Sequence, residues 1–202
     1  MARGRAAGYD DQRGLILAQA AALFAGSGYP ATSMNQVARA CGMSKATLYH
    51  YYRDKYALLV SIAEGHVNQL RALVDAVLAQ GLAPEQRLRM LIHRIVQAYA
   101  GAQHAHRVLT EDVRFLAPDD RQRILDQQRA VVAGFAQAVA GLRPELHLAA
   151  LATPMTMLLF GSINWMFTWM QPDGALDYDT LAPMVADLFL GGLPAVKPAV
   201  KP

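Results

Sequence analysis

The side chains of this 202-residue chain that could do chemistry fall into two groups. One is a scatter of imidazoles and acids. His104 and His106 stand two residues apart, which puts them on different faces of a helix and rules out i, i+4 chelation of a metal. His66 and His93 are isolated in the sequence. Glu111-Asp112 reads as a solvated acidic pair or as polar groups of a pocket. No glycine-rich phosphate loop is present, and the single cysteine, Cys41, excludes an intrachain disulfide or a cysteine-based zinc cluster. Cys41 reads as a small packed hydrophobe. No catalytic set, metal site or resident cofactor is expected. The other group is dense: Lys45, Thr47, Tyr49, His50 and Tyr51 lie within seven residues, and no Asp or Glu occurs from Tyr29 through Arg53. Cationic, hydroxyl and aromatic donors without acids are what a phosphate-facing surface requires.

The elements that would position these donors are helices. Hydrophobic residues make up 53% of the chain and charged residues 17%, the opposite of a disordered composition. Ala, Leu, Gln and Arg favour helix at almost every window, and no run of alternating strands is visible. Gly and Pro divide the chain into about nine helical segments: 10–27, 34–40, 45–51, 54–80, 84–102, 104–116, 119–142, 145–170 and 179–190. Residues 1–55 hold seven Lys/Arg against three Asp/Glu, so the basic charge belongs to the first quarter. The arginine-bearing N-terminus lacks an apolar stretch, which predicts no secretion signal and a reducing cytoplasm. Residues 1–9 are expected to form a disordered basic arm, in which Arg3 and Arg5 could also reach a minor groove. The repeat of Pro-Ala-Val-Lys at 193–202 is expected to be a disordered tail. The long apolar segment 146–170 tempts a transmembrane assignment, but Pro154, Thr156, Ser162 and Asn164 interrupt it. A buried interface helix is the expectation, with no membrane partner.

Within residues 10–55, Ser33 followed by Gln36 is a capping box that starts a short helix, and Gly42 ends it. Ser44 then caps a second short helix at Lys45. Two short helices joined through a glycine turn form a helix-turn-helix, with Val37, Ala38 and Leu48 as its shared core. The pattern Ile16-Leu17, Ala20, Leu23-Phe24, Gly28-Tyr29, Thr32-Ser33, Val37-Ala38, then Gly42-Met43-Ser44-Lys45-Ala46-Thr47-Leu48-Tyr49, Tyr51-Tyr52 and Lys55 resembles the TetR family of bacterial transcriptional regulators. Tyr52 stands where that family usually has Phe, and Ala46 where glycine is common. The resemblance implies an all-α homodimer, with a helix-turn-helix domain at 10–55 and an effector-binding and dimerisation domain at 56–192. It implies a repressor of double-stranded operator DNA, in which ligand binding moves the long fourth helix and swings the recognition helices out of register. Lys45, Thr47 and His50 would reach base edges. Tyr49, Tyr51 and Lys55 match phosphate contacts, and Thr32, Ser33 and Asn35 sit where first-turn amides favour phosphate.

The C-terminal body is rich in Met and aromatic residues. Tyr99, Phe135, Met157, Phe160 and Asn164, with Glu111, are expected to line a largely apolar effector pocket. The resemblance implies dimerisation through the last two helices, and order along the chain and apolarity assign Gly161, Trp165, Trp169, Met184, Val185, Leu188 and Phe189 to that interface. The stretch Gly161 to Trp169 also resembles TetR members that respond to acyl-CoA in fatty-acid and phenylacetate catabolism, so a hydrophobic effector, an acyl-CoA thioester, is expected. The alternative is a free aromatic or lipophilic compound. Arg107, Arg114 and Arg129 could meet the phosphates of such a thioester, or pair with Glu111, Asp112 and Asp126.

Overall fold

The computed structural model describes residues 3–170 and 176–198, with side chains from residue 8 onward except that of Phe167. The side chains of Arg3 and Arg5 and residues 199–202 lie outside these. All described regular elements are helical: α1 (Arg3–Ser27), α2 (Met34–Ala40), α3 (Lys45–Tyr51), α4 (Lys55–Leu78), α5 (Pro84–Gly101), α6 (Gln103–Glu111), α7 (Pro118–Leu142), α8 (Pro144–Leu148), α9 (Ala152–Asn164) and α10 (Tyr178–Gly192). None is long and apolar enough to cross a membrane.

Packing groups the helices into two units. The first holds residues 1–67 and 102–124, hence α1 to α3, the first half of α4, α6 and the start of α7. Its core follows the helical period: Ile16, Ala20 and Phe24 on α1, Val37 and Ala38 on α2, Leu48 on α3, Leu58, Leu59, Ile62 and Ala63 on α4. Each such Leu or Ile contributes about 1.5–3 kcal/mol by its burial. Helix α6 packs on α1, so this unit extends past the expected boundary at residue 55. Helix α1 starts at Arg3, inside the segment expected to be a disordered arm. A tertiary anchor supports the extra turns: the ring of Tyr9 stacks on that of Tyr51 at 4.9 Å.

The second unit holds residues 68–101 and 125–202. Helix α10 packs along α5. Helices α4 and α7 come so close that a Cβ on Gly134 would meet Val74 Cγ1 at 2.4 Å. The single helix expected over 145–170 is two, α8 and α9. The break is a Schellman turn: the Leu151 amide donates to Leu146 O at 2.7 Å, the Ala150 amide to His147 O at 2.9 Å, and Ala150 has φ +56°. Glycine usually occupies that position, and an L-residue there is strained by about 1 kcal/mol. Ala150→Gly should therefore raise the melting temperature by roughly 2–4 °C in a calorimetric scan. A variant that melts lower would remove this account of the break. The start of the tail is also held. Leu193 is buried in a 3₁₀ turn, its carbonyl accepts from Arg143 Nη1, and Val196 O accepts from Arg143 Nη2 at 3.2 Å.

Candidate nucleic-acid interface

The exposed donors of the first unit are carried by a short, tightly terminated pair of helices. Ser33 caps α2 in extended backbone conformation. The Gln36 amide donates to Ser33 Oγ at 3.3 Å, and Gln36 Oε1 accepts from the Ser33 amide at 2.7 Å. Gly42, at φ +65°, makes the turn that a side chain would strain. Ser44 then caps α3, accepting from the Thr47 amide at 3.1 Å, while the two hydroxyls lie 2.8 Å apart. Leu48 is fully buried and fixes the rotation of α3 about its axis. That rotation leaves Lys45, Thr47, Tyr49 and His50 exposed and Tyr51 half-buried. The Lys45 ammonium lies 5.7 Å over the Tyr49 ring, and His50 meets Tyr51 edge-on at 5.7 Å. The capped helix thus presents a cation, two phenols, an imidazole and a threonine hydroxyl with no acid on α2 or α3.

Two of the residues expected to meet phosphate are turned inward. Thr32 is 2% exposed, and its hydroxyl donates to Gly28 O at 2.9 Å and Leu23 O at 3.3 Å. It ties the loop to the end of α1, because a buried hydroxyl must find an acceptor. Lys55 Nζ donates to Tyr29 O at 2.7 Å and Pro30 O at 3.1 Å, and lies 4.5 Å over the Tyr29 ring. Burial lowers its pKa below the ordinary lysine value. Both residues hold the α1–α2 loop, and through it the start of α2. Ser33 and Asn35 remain exposed.

Tyr9 and Arg13 are the members of this site that sequence reasoning missed. Tyr9 backs Tyr51, as described above. Arg13 Nε donates to the hydroxyl of Tyr52 at 3.3 Å, and its guanidinium lies 5.5 Å over that ring. Residues 9, 13, 16, 20 and 24 share one face of α1, a spacing that continues the apolar stripe backward and was the available signal.

Helices α4 and α6 carry a buried pair in the same unit. His66 Nε2 and His106 Nδ1 are 3.4 Å apart, with the residues 4% and 3% exposed. His66 is therefore not isolated in space. Burial lowers its pKa to about 4, and burial with its neighbour lowers that of His106 to about 3. No group of three His, Cys, Asp or Glu that could hold a metal occurs among the described residues. Cys41 is half-buried, and burial raises its thiol pKa.

In the second unit the expected pocket residues divide. Tyr99 donates to Asn164 Oδ1 at 2.9 Å, and Phe135 meets Phe160 edge-on at 4.9 Å. Asn164 and Phe160 are one turn apart on α9, so the two contacts adjoin. Burial drives the Tyr99 phenol well above its ordinary pKa. Met157, by contrast, is 53% exposed, and Glu111 belongs to the first unit, where it accepts from Arg107 at 3.0 Å. The arginines weighed for phosphate binding are mostly engaged: Arg107 with Glu111, Arg129 with Asp126 at 2.6 Å, and Arg114 over the Phe115 ring at 4.9 Å. Of the expected interface residues, Gly161, Trp165, Trp169, Met184 and Leu188 are exposed, while Val185 and Phe189 are half-buried.

Comparison with known proteins agrees with this architecture. Residues 16–62 match the family of bacterial regulatory proteins, tetR family, and residues 81–193 match the tetracyclin repressor-like, C-terminal domain. The chain is 24% identical over 189 residues to the HTH-type transcriptional repressor KstR2 of Rhodococcus jostii (strain RHA1), covering 92% of this chain and 93% of that protein. A TetR-family transcriptional regulator from Bordetella parapertussis 12822 superposes with a TM-score of 0.84 at 36% identity, over 93% of this chain and 98% of that one. The structure of AibR in complex with isovaleryl coenzyme A and operator DNA superposes with a TM-score of 0.73 at 24% identity, over 88% and 96%. A capped helix-turn-helix with an acid-free donor face, followed by a matching C-terminal domain, makes this chain a DNA-binding transcriptional regulator, not an enzyme, and it belongs to the TetR family.

Proposed function

We propose that the protein is a homodimeric repressor that sits on a palindromic operator and leaves it when an acyl-CoA thioester binds. The observation that carries the DNA-binding part is the face of α3. Lys45, Thr47 and His50 are free to read base edges, while Tyr49, Tyr51, Ser33 and Asn35 meet phosphates. Dimerisation uses the outer faces of α9 and α10. Leu158, at 66% exposed, and Met157, Gly161 and Trp165 form one stripe, and Met184 and Leu188, at 81%, form another. Exposed apolar stripes are the usual mark of a protein interface. In the dimer the two recognition helices enter successive major grooves about 34–36 Å apart. The protein then works in the cytoplasm, where its operator is.

The effector reading rests on the inner face of α9. Phe160, Phe135 and the Tyr99–Asn164 hydrogen bond offer an apolar seat with one orienting polar pair, which suits an acyl group. The bound isovaleryl coenzyme A of AibR points the same way. Helix α4 has residues in both units, and a ligand-driven shift of its second half is the route by which the thioester would displace α3. Calorimetry tests the effector. Phenylacetyl-CoA or a long-chain acyl-CoA should bind at micromolar concentration or better and release operator, with the matching free acid much weaker. Equal binding of the free acid would favour the alternative, a regulator of free aromatic or lipophilic compounds. Failure of every thioester to bind would remove the proposal.

A further inference from the structure

On the face of α5 opposite Tyr99 runs a groove of about 620 Å³ between α5 and α10. Its apolar floor is Leu82, Met90, Ala182, Pro183 and Ala186, and its polar wall is a row on α5 that includes His93 and Arg94. Two bridges between the helices bound it. Arg89 donates to Asp187 Oδ1 at 2.5 Å and to Glu85 at 3.1 Å, and Gln97 Nε2 donates to Asp179 Oδ1 at 3.1 Å. Eight residues of α5 separate these bridges, about 12 Å of helix, a length comparable to an extended octanoate. Small side chains on α10 keep the groove open between them.

The acids near the groove are thus occupied, and none lines it. The side chains of His93 and Arg94 make no hydrogen bond or ion pair with another described residue, whereas Arg71, Arg89, Arg129 and Arg143 of the same unit each pair with an acid. A guanidinium without a counter-charge, beside an imidazole and above an apolar floor of this volume, is complementary to a carboxylate on an apolar body. We propose that this groove is a second ligand site, for a medium-chain amphipathic carboxylate. The carboxylate pairs with the Arg94 guanidinium and accepts from the His93 ring, while the chain lies along Met90, Pro183 and Ala186. Because Tyr99 points to the opposite side of α5, the site is separate from the effector seat on α9 and does not depend on it.

The test is calorimetric titration of the full-length protein with octanoate, 1-octanol and octylammonium. Octanoate should bind saturably, octanol about tenfold more weakly, and octylammonium not at all, since one charge-assisted pair is worth about a factor of ten. Arg94→Gln should bring octanoate down to the octanol level. Arg94 is exposed and without a described partner, so an unchanged melting temperature is expected. Gln86→Trp, which fills the groove from an exposed position, should weaken octanoate and octanol alike. Octanol binding as tightly as octanoate, full octanoate affinity in Arg94→Gln, or no octanoate binding at millimolar concentration would each overturn the proposal.

Discussion

Replacing Tyr51 with alanine is expected to weaken operator binding about 100-fold at fixed salt. On the proposed docking each protomer would lose one hydrogen bond from a phenol to a phosphate oxygen, and a bond to a charged acceptor is worth about 1.5–3 kcal/mol. A dimer loses two, so about 3 kcal/mol at the lower end, which is about 100-fold. The slope of affinity against salt should not change, because no charge is removed. Lys45→Ala and His50→Ala should each relax preference at particular bases rather than weaken all sequences together. Two further variants separate hydroxyl from ring. Tyr51→Phe keeps the stack on Tyr9, so it should lose nearly as much as alanine if the hydroxyl is the contact. Tyr9→Ala leaves the hydroxyl but frees the ring, and should cost a smaller amount through disorder of Tyr51. The measurement is fluorescence anisotropy on a duplex selected from a random pool. Unchanged affinity in Tyr51→Ala would mean that α3 docks on another face.

The same site shows why part of it was legible in the sequence and part was not. Ser33 with Gln36, Gly42 and Ser44 with Thr47 act over three residues or within one, so their chemistry is written in adjacent letters. The helix-turn-helix they enclose could be placed before any coordinates. Thr32 and Lys55 occupy the right positions in the motif, yet their groups are claimed by carbonyls. For Lys55 these belong to Tyr29 and Pro30, 26 and 25 residues away. Spacing cannot show which acceptor a side chain reaches. His66 and His106 likewise meet across 40 residues. The break between α8 and α9 carries no glycine signal in the sequence, because its left-handed residue is Ala150 and not the glycine that usually marks a Schellman turn. In the α9 segment, apolarity alone gave no phase. Phe160 turned inward and Met157 outward only once α9 had a neighbour on one side.

Acidification from pH 6.5 to 5 is expected to remove about 3 kcal/mol of stability, and the His66–His106 pair is the reason. Both imidazoles are buried and neutral, with folded-state pKa values of about 4 and about 3 against an ordinary 6.5. The unfolded chain therefore binds more protons than the folded one across this window, about one more at pH 6.5 and nearly two more at pH 5. Stability is fully present above 6.5 and falls as pH drops, by up to about 1.4 kcal/mol per unit for each ring. Over 1.5 units and two rings that is a large share of a total that is usually about 5–15 kcal/mol. The loss should bear on DNA binding as well, because α6, which carries His106, packs on α1 in the unit that holds α2 and α3. Denaturant titrations of the parent and of His66→Gln/His106→Gln at a series of pH values check this. Glutamine keeps a polar side chain without the titration, so the double variant should be less stable than the parent at pH 7.5 but nearly flat down to pH 5. If the double variant loses stability as steeply as the parent, the acid sensitivity lies elsewhere. If the parent is itself flat, protons reach the pair without unfolding the helices around it, and the pair is not closed to water.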